Sequence, residues 1–124
     1  MIGSEGRTTY EEVDGEMVLM KRGGLEFYDD KEGKPVGIDR HIGKRPIFVG
    51  GNSDGDFQML EYATEGDGPG LGLIVHHTDA AREYAYDREG YIGVLDRGLD
   101  EASQRGWLVV DMAQDWKTVW TGRQ

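Results

Sequence analysis

The chain has 124 residues, enough for one domain and too few for two complete ones. Its 24 acidic and 14 basic side chains leave a formal charge of −10, which repels nucleic-acid phosphates and anionic membrane surfaces. It has no cysteine, so disulfides, thiolate metal sites and a cysteine nucleophile are excluded. Glycine supplies 20 residues, well above the usual share, so turns and close backbone approaches are expected throughout. No apolar run approaches the ~20 residues that a membrane span requires, and the first residues do not read as a signal segment, so a cytoplasmic protein is expected.

In chain order, Thr8–Val13 and Met17–Met20 flank Asp14-Gly15, the strongest short signal for a β-hairpin. Leu25–Tyr28 reads as a further short extended piece and 29–33 as a loop. Lys34–Ile42 then predicts a short helix with Pro35 in its first turn and Val36, Ile38 and Ile42 towards one side. Pro46–Val49 is a continuous apolar run ended by Gly50-Gly51, the pattern of a strand buried on both faces of a parallel sheet. An acidic, Gly-rich turn over 52–56 precedes a helix carrying Phe57, Met59, Leu60 and Ala63. A second buried strand is expected at Leu71–Val75, ending in His76-His77-Thr78-Asp79. Helices are expected over Ala80–Tyr86 and Val94–Arg105, the latter with Leu95, Leu99 and Ala102 inward. Leu108–Val110 reads as a last strand, after which Trp116, Val119 and Trp120 are expected to fold the tail back onto the domain. The hairpin followed by alternating strands and helices indicates one α/β unit.

Ligands of open α/β sheets bind beyond the carboxyl ends of the strands. Three polar clusters fall there: Gly50–Asp56, His76–Asp79, and Lys34 at the start of the earlier helix. Asn and Asp oxygens beside a helix start suit a hard cation such as Mg²⁺, and a lysine suits a phosphate, so phosphate-ester chemistry is the class these residues would serve. Each cluster also has a structural reading. Asn52, Ser53 and Asp54 suit a helix cap and first turn, and Lys34 suits a solvated surface. Adjacent histidines at a strand end point to opposite sides, so His76 and His77 do not readily grip one ion, and one of them suits a hydrogen-bonded structural role.

Gly51-Asn52-Ser53-Asp54-Gly55-Asp56-Phe57-Gln58-Met59-Leu60, with Asp30–Ile38 before it and His76–Arg88 after it, resembles the haloacid dehalogenase-like hydrolases, in a phosphoserine-phosphatase-like branch. The likeness runs over nearly the whole chain and implies a Rossmann-like parallel sheet whose motifs converge on Mg²⁺ and a phosphoryl group. Lys34 matches the family's phosphoryl-steadying lysine, and Asn52 to Asp56 match its metal-binding acidic turn. The family's nucleophilic Asp-x-Asp motif and its Ser/Thr motif have no counterpart here. The resemblance therefore implies a truncated Rossmann-like sheet, a single partial domain over 1–124, with an N-terminal β-hairpin and extended segment over 1–30 and an α/β core remnant over 31–124.

The functional expectation is a metal-dependent hydrolase of small phosphate esters in which metal-activated water replaces the missing carboxylate nucleophile. Its expected site has Lys34, Asp54 and Asp56 as catalytic residues, Lys34 and Ser53 on the phosphate, and Asn52, Asp54 and Asp56 on Mg²⁺, with His76 and Asp79 as weaker candidate ligands. The alternative is a catalytically silent remnant that complements or binds another chain. The strand at 46–49 lacks the neighbour that the family places beside it, so a symmetric dimer through that edge is expected.

Overall fold

The computed structural model describes residues 1–91, 93–120 and 122. Strands β1 (Glu5–Val13) and β2 (Glu16–Phe27) form an antiparallel ribbon with Val13 opposite Glu16. Its two-residue turn places Asp14 at φ 52° and Gly15 at φ 84°, the left-handed pair that matches the right-handed strand twist. The expected separate piece at Leu25–Tyr28 is the continuation of β2 as far as Phe27. Most of the ribbon is exposed, as a two-stranded sheet without a covering layer must be.

Helix α1 (Gly33–Ile42) follows, closed by Gly43 at φ 69°. Its buried residue is Gly37, against Ile2 and Phe27, whereas Val36 and Ile42 are exposed. The expected apolar side therefore does not form the contact. A glycine allows the ribbon's Phe27 to approach the helix backbone instead.

The rest is a three-stranded parallel sheet of order β3-β4-β5, from β3 (Phe48–Gly51), β4 (Leu71–His76) and β5 (Leu108–Asp111). A 3-10 turn at Asp54–Asp56 leads into α2 (Phe57–Thr64), and α3 (Arg97–Arg105) connects β4 to β5. The architecture is thus mixed α/β, a hairpin beside a parallel sheet with helices. Both connecting helices pack on the same face of the sheet. There Phe57, Leu60 and Ala63 of α2 and Ala102 of α3 meet Val49, Ile74, Leu95 and Trp107 in one core. Gly72 lets Trp107 lie directly on β4, where an added Cβ would sit 2.7 Å from its ring.

The opposite face differs from expectation. Side chains alternate along a strand, so the residues between the core positions point away from the helices, and Phe48, Leu71 and Leu108 are about half exposed, at 56%, 47% and 52%. β3 and β4 are therefore buried on one face only. β3 is hydrogen-bonded to β4 alone among the described residues, so its outer edge is open. Its residues lie two positions later than the apolar run suggested, because Pro46 has no N–H to donate and Ile47 contributes only its carbonyl, to Leu71 N.

Two further expectations change. No helix forms over Ala80–Tyr86: the Asp79 carboxylate accepts the N–H groups of Ala81 and Arg82 as a cap would, but a single turn follows, closed by Glu83 N to Asp79 O, before Tyr86 pairs back with His77. Helix α3 begins at Arg97 rather than Val94, because Val94 O and Leu95 N are engaged with Asp54 N and Asp87 O. The tail folds back through its backbone rather than its aromatics. Arg82 donates to the carbonyls of Met112, Ala113, Trp116 and Lys117 around the short α4 (Met112–Asp115), while Trp116 and Trp120 remain exposed. No helix among the described residues is long and apolar enough to cross a membrane.

The one-sided burial gives a paired expectation. Ile74→Ala should lower the unfolding free energy by about 2–5 kcal/mol in urea melts, and Phe48→Ser on the bare face by less than about 1 kcal/mol. Equal losses would mean that the second face is covered in solution.

Candidate functional site

The carboxyl ends of β3 and β4 open into a cleft of about 460 Å³ lined by Gly50, Gly51, Asn52, Asp56, Val75 and His77. Asp56 is its organising group and is only 8% exposed. Asp56 Oδ2 accepts from Asn52 N at 3.0 Å, Ser53 N at 3.3 Å and Ser53 Oγ at 3.4 Å. Asp56 Oδ1 lies 3.3 Å from Lys34 Nζ, which reaches over from the first turn of α1. A carboxylate brought so far out of water requires such compensation. Gly51 makes the arrangement sterically feasible, since a Cβ there would sit 2.5 Å from Asp56 Cβ.

The loop before α1 is tied to the same turn. Lys31 N donates to Gly55 O at 3.1 Å, and a Cβ on Gly55 would meet Asp30 Oδ1 at 2.6 Å. Two segments about twenty residues apart in sequence are thereby locked together, which holds Lys34 beside Asp56. Lys34, Asn52, Ser53 and Asp56 are thus one cluster.

The other expected residues lie outside it. Asp54 Oδ1 accepts from Gly98 N at 2.9 Å and Asp54 Oδ2 from Arg97 N at 3.1 Å, with Asp96 N 3.2 Å from both. It caps α3 from a distance, which is the helix-capping alternative realised on a different helix from the one it precedes. His76 Nε2 lies 3.2 Å from Asp87 Oδ2 without hydrogen-bond alignment. Asp79 is buried and ion-paired with Arg82.

His77 and Glu83 are in or against the cleft and were not among the expected site residues. His77 Nδ1 lies 2.7 Å from Glu83 Oε2, and His77 Nε2 is 3.4 Å from Asn52 Nδ2. The histidine doublet itself was the available signal. Adjacent strand residues diverge, so one of the two had to face the cleft if the other did not. Glu83 had no such signal, because the segment that carries it reads as a helix.

For a divalent cation these residues offer one carboxylate, Asp56, and the neutral Asn52 amide. Among the described residues no group of three or more His, Asp or Glu side chains is placed to hold a metal. Mg²⁺ prefers hard oxygen ligands and is usually held by one or two carboxylates together with substrate phosphate and water. Asp56 Oδ1 already faces Lys34, so the donor set of this chain does not by itself form a Mg²⁺ site.

Compared with known proteins, the chain matches no family model and no curated protein.

Two carboxylates here have an acidity set by visible partners. The Arg82 guanidinium, with the N–H groups of Arg82 and Ala81, holds the Asp79 carboxyl below its ordinary range. The Thr78 hydroxyl, with the N–H groups of Gln114 and Ala113, does the same for Asp111. A carboxyl whose pKa is lower folded than unfolded stabilises the fold fully above the unfolded value of about 4, and the contribution fades as pH falls through the folded one. Asp79→Asn should therefore lower the melting temperature at pH 7, and the gap to wild type should shrink below about pH 3. A gap that is constant with pH would mean that the ion pair contributes nothing. Asp54→Ala should cost about 1–2 kcal/mol of stability in denaturant melts, the range of a lost helix cap.

Proposed function

We propose that the cleft at the ends of β3 and β4 binds the phosphoryl group of small phosphate esters and hydrolyses them. The observation that carries this reading is the Lys34–Asp56 pair, a mostly buried ion pair whose carboxylate is held by three donors and lines a cleft with Gly50 and Gly51, so that the ammonium is fixed 3.3 Å from a cleft residue. A cation held in place at the carboxyl end of a parallel sheet is suited to a dianionic oxygen cluster. Gly50 and Gly51 line the cleft without obstructing side chains, and the Ser53 hydroxyl is held on Asp56 at its edge.

Lys34 attracts and orients the phosphoryl oxygens and offsets the charge that grows on them as the ester bond breaks. Asp56 orients Lys34 and fixes the turn over 52–56. Asn52 presents its amide to the same space. Asp54 is read as a structural cap. A divalent cation, if the reaction uses one, draws further ligands from substrate and water, and no step here depends on it. The resemblance to haloacid dehalogenase-like hydrolases supports the same substrate class, carried by Lys34 and the Asn52–Asp56 turn. The test is release of p-nitrophenol from p-nitrophenyl phosphate and from its bis-ester, in Mg²⁺ and in EDTA. Lys34→Ala and Asp56→Asn should each reduce the rate by about a hundredfold or more. Rates untouched by both substitutions would reject the site.

The open β3 edge and the bare sheet face favour a second reading, in which the chain acts as a partner that another polypeptide completes. Parallel sheets are almost always covered on both faces, and a free apolar edge is a template for pairing. Pairing of β3 with its equivalent in a second copy is the simplest form of this. Light scattering should then give twice the 13.9 kDa chain mass. A single-chain mass from micromolar to hundreds of micromolar would rule out the symmetric pair.

A further inference from the structure

We infer that His77 is the nucleophile of the cleft, accepting the phosphoryl group on Nε2 while Glu83 holds the opposite side of its ring; this rests on the phosphate-ester reading above. Three features of the molecule support it. First, His77 lines the cleft that holds Asp56, and its side chain is 23% exposed, shielded but reachable. Second, the Nδ1 contact with Glu83 Oε2 at 2.7 Å places a proton on Nδ1, because a carboxylate can only accept there. The neutral ring then carries its lone pair on Nε2, and the Asn52 amide 3.4 Å away is placed to donate towards it. Third, Glu83 is an expensive residue to keep where it is. Its side chain is 9% exposed and its Oε1 is buried without a hydrogen-bond partner among the described residues. A buried carboxylate whose sole polar side-chain contact among the described residues is one histidine is more readily explained by that histidine's chemistry than by stability.

The ring is also fixed in orientation. Tyr86 N donates to His77 O at 2.9 Å, and the Tyr86 ring stands edge-on to the imidazole with centroids 6.1 Å apart. The turn made by Asp79 and Arg82 carries Glu83 back to the histidine, since Glu83 N donates to Asp79 O at 3.0 Å. The absence of helix over Ala80–Tyr86 is what permits this.

In the first step the Nε2 lone pair forms a bond to phosphorus as the bond from phosphorus to the ester oxygen breaks. The ester oxygen leaves with that bonding pair and is protonated by water. The ring now carries positive charge, which the Glu83 carboxylate offsets through Nδ1–H, while Lys34 faces the phosphoryl oxygens. In the second step water attacks phosphorus, the nitrogen–phosphorus bond breaks, and Nε2 regains its lone pair as inorganic phosphate and a proton are released. No oxidant, reductant or further co-reactant is needed. Glu83 acts through His77 and is a positioning residue.

The test uses phosphoramidate, a phosphoryl donor to histidine, on the intact chain, followed by peptide mapping of acid-labile, base-stable phosphate. The chain has three histidines, so His41 and His76 serve as internal references. Label should accumulate on His77 at least about tenfold faster than on His41, and Lys34→Ala should remove that preference. Nitrogen chemical shifts of the His77 ring should report the Nδ1–H form, and Glu83→Ala should convert it to the commoner Nε2–H form while the protein stays folded. Glu83→Gln, which can still accept at Nδ1, should keep the Nδ1–H form but label more slowly. Equal labelling of the three histidines, or an Nε2–H ring in the wild type, would overturn the assignment. Hydrolysis of aryl phosphate that persists in His77→Ala would overturn it too and leave the phosphate-ester reading standing. Loss of hydrolysis in wild type together with random labelling would sink both.

Discussion

The arrangement of the cleft depends on one carboxylate. Asp56 is nearly buried, and three donors from Asn52 and Ser53 together with the Lys34 ammonium compensate it. Those contacts join three parts of the chain, the end of β3, the turn into α2 and the start of α1, alongside the Lys31–Gly55 backbone bond. Without Asp56 the donors of the turn lose their acceptor, and Lys34 returns to solvent. Gly51 is the steric condition of the same contact, because any larger residue there overlaps Asp56. The requirement for glycine at this position is a packing requirement and not one of backbone angle.

Around that centre, other acidic residues perform structural tasks at long range. Asp54 caps a helix that starts more than forty residues later, and Asp79 holds the arginine that fastens the tail. Part of the strong negative charge is therefore absorbed by backbone N–H groups and guanidinium, where it stabilises turns and helix starts. Charge in this chain is distributed by partner, so a count of carboxylates near a strand end overstates how many are free to meet a ligand.

Much of the fold was legible in the sequence. Asp14-Gly15 specified the hairpin, because few other dipeptides accept two left-handed residues in succession. The apolar runs before Gly50-Gly51 and His76 located β3 and β4 to within two residues, and the spacing of Phe57, Leu60 and Ala63 located the helix between them. What misled was burial. Ile47 and Phe48 read as doubly buried and are exposed, because the pattern of a run records what a strand is suited to contact and not whether a second layer is present. The helix expected over Ala80–Tyr86 stops after one capped turn because Tyr86 pairs with the backbone of His77, a contact that local propensity does not register. In the site, Lys34, Asn52, Ser53 and Asp56 were readable as a strand-end cluster. The separation of Asp54 from Asp56 was not, since it depends on where α3 begins. Nor was the pairing of His77 with Glu83, which requires the turn that replaces that helix.

Phosphoryl binding at the Lys34–Asp56 cleft is the property on which the proposed activity depends. The most direct measurement is a titration of the ¹⁵N-labelled chain with inorganic phosphate, read by amide and lysine side-chain NMR. Saturable shifts are expected at Gly51, Asn52 and Ser53 and at the Lys34 ammonium, lost in Lys34→Ala while the remaining spectrum is preserved. Shifts confined to other lysines and arginines, or none at these four positions at millimolar phosphate, would contradict it.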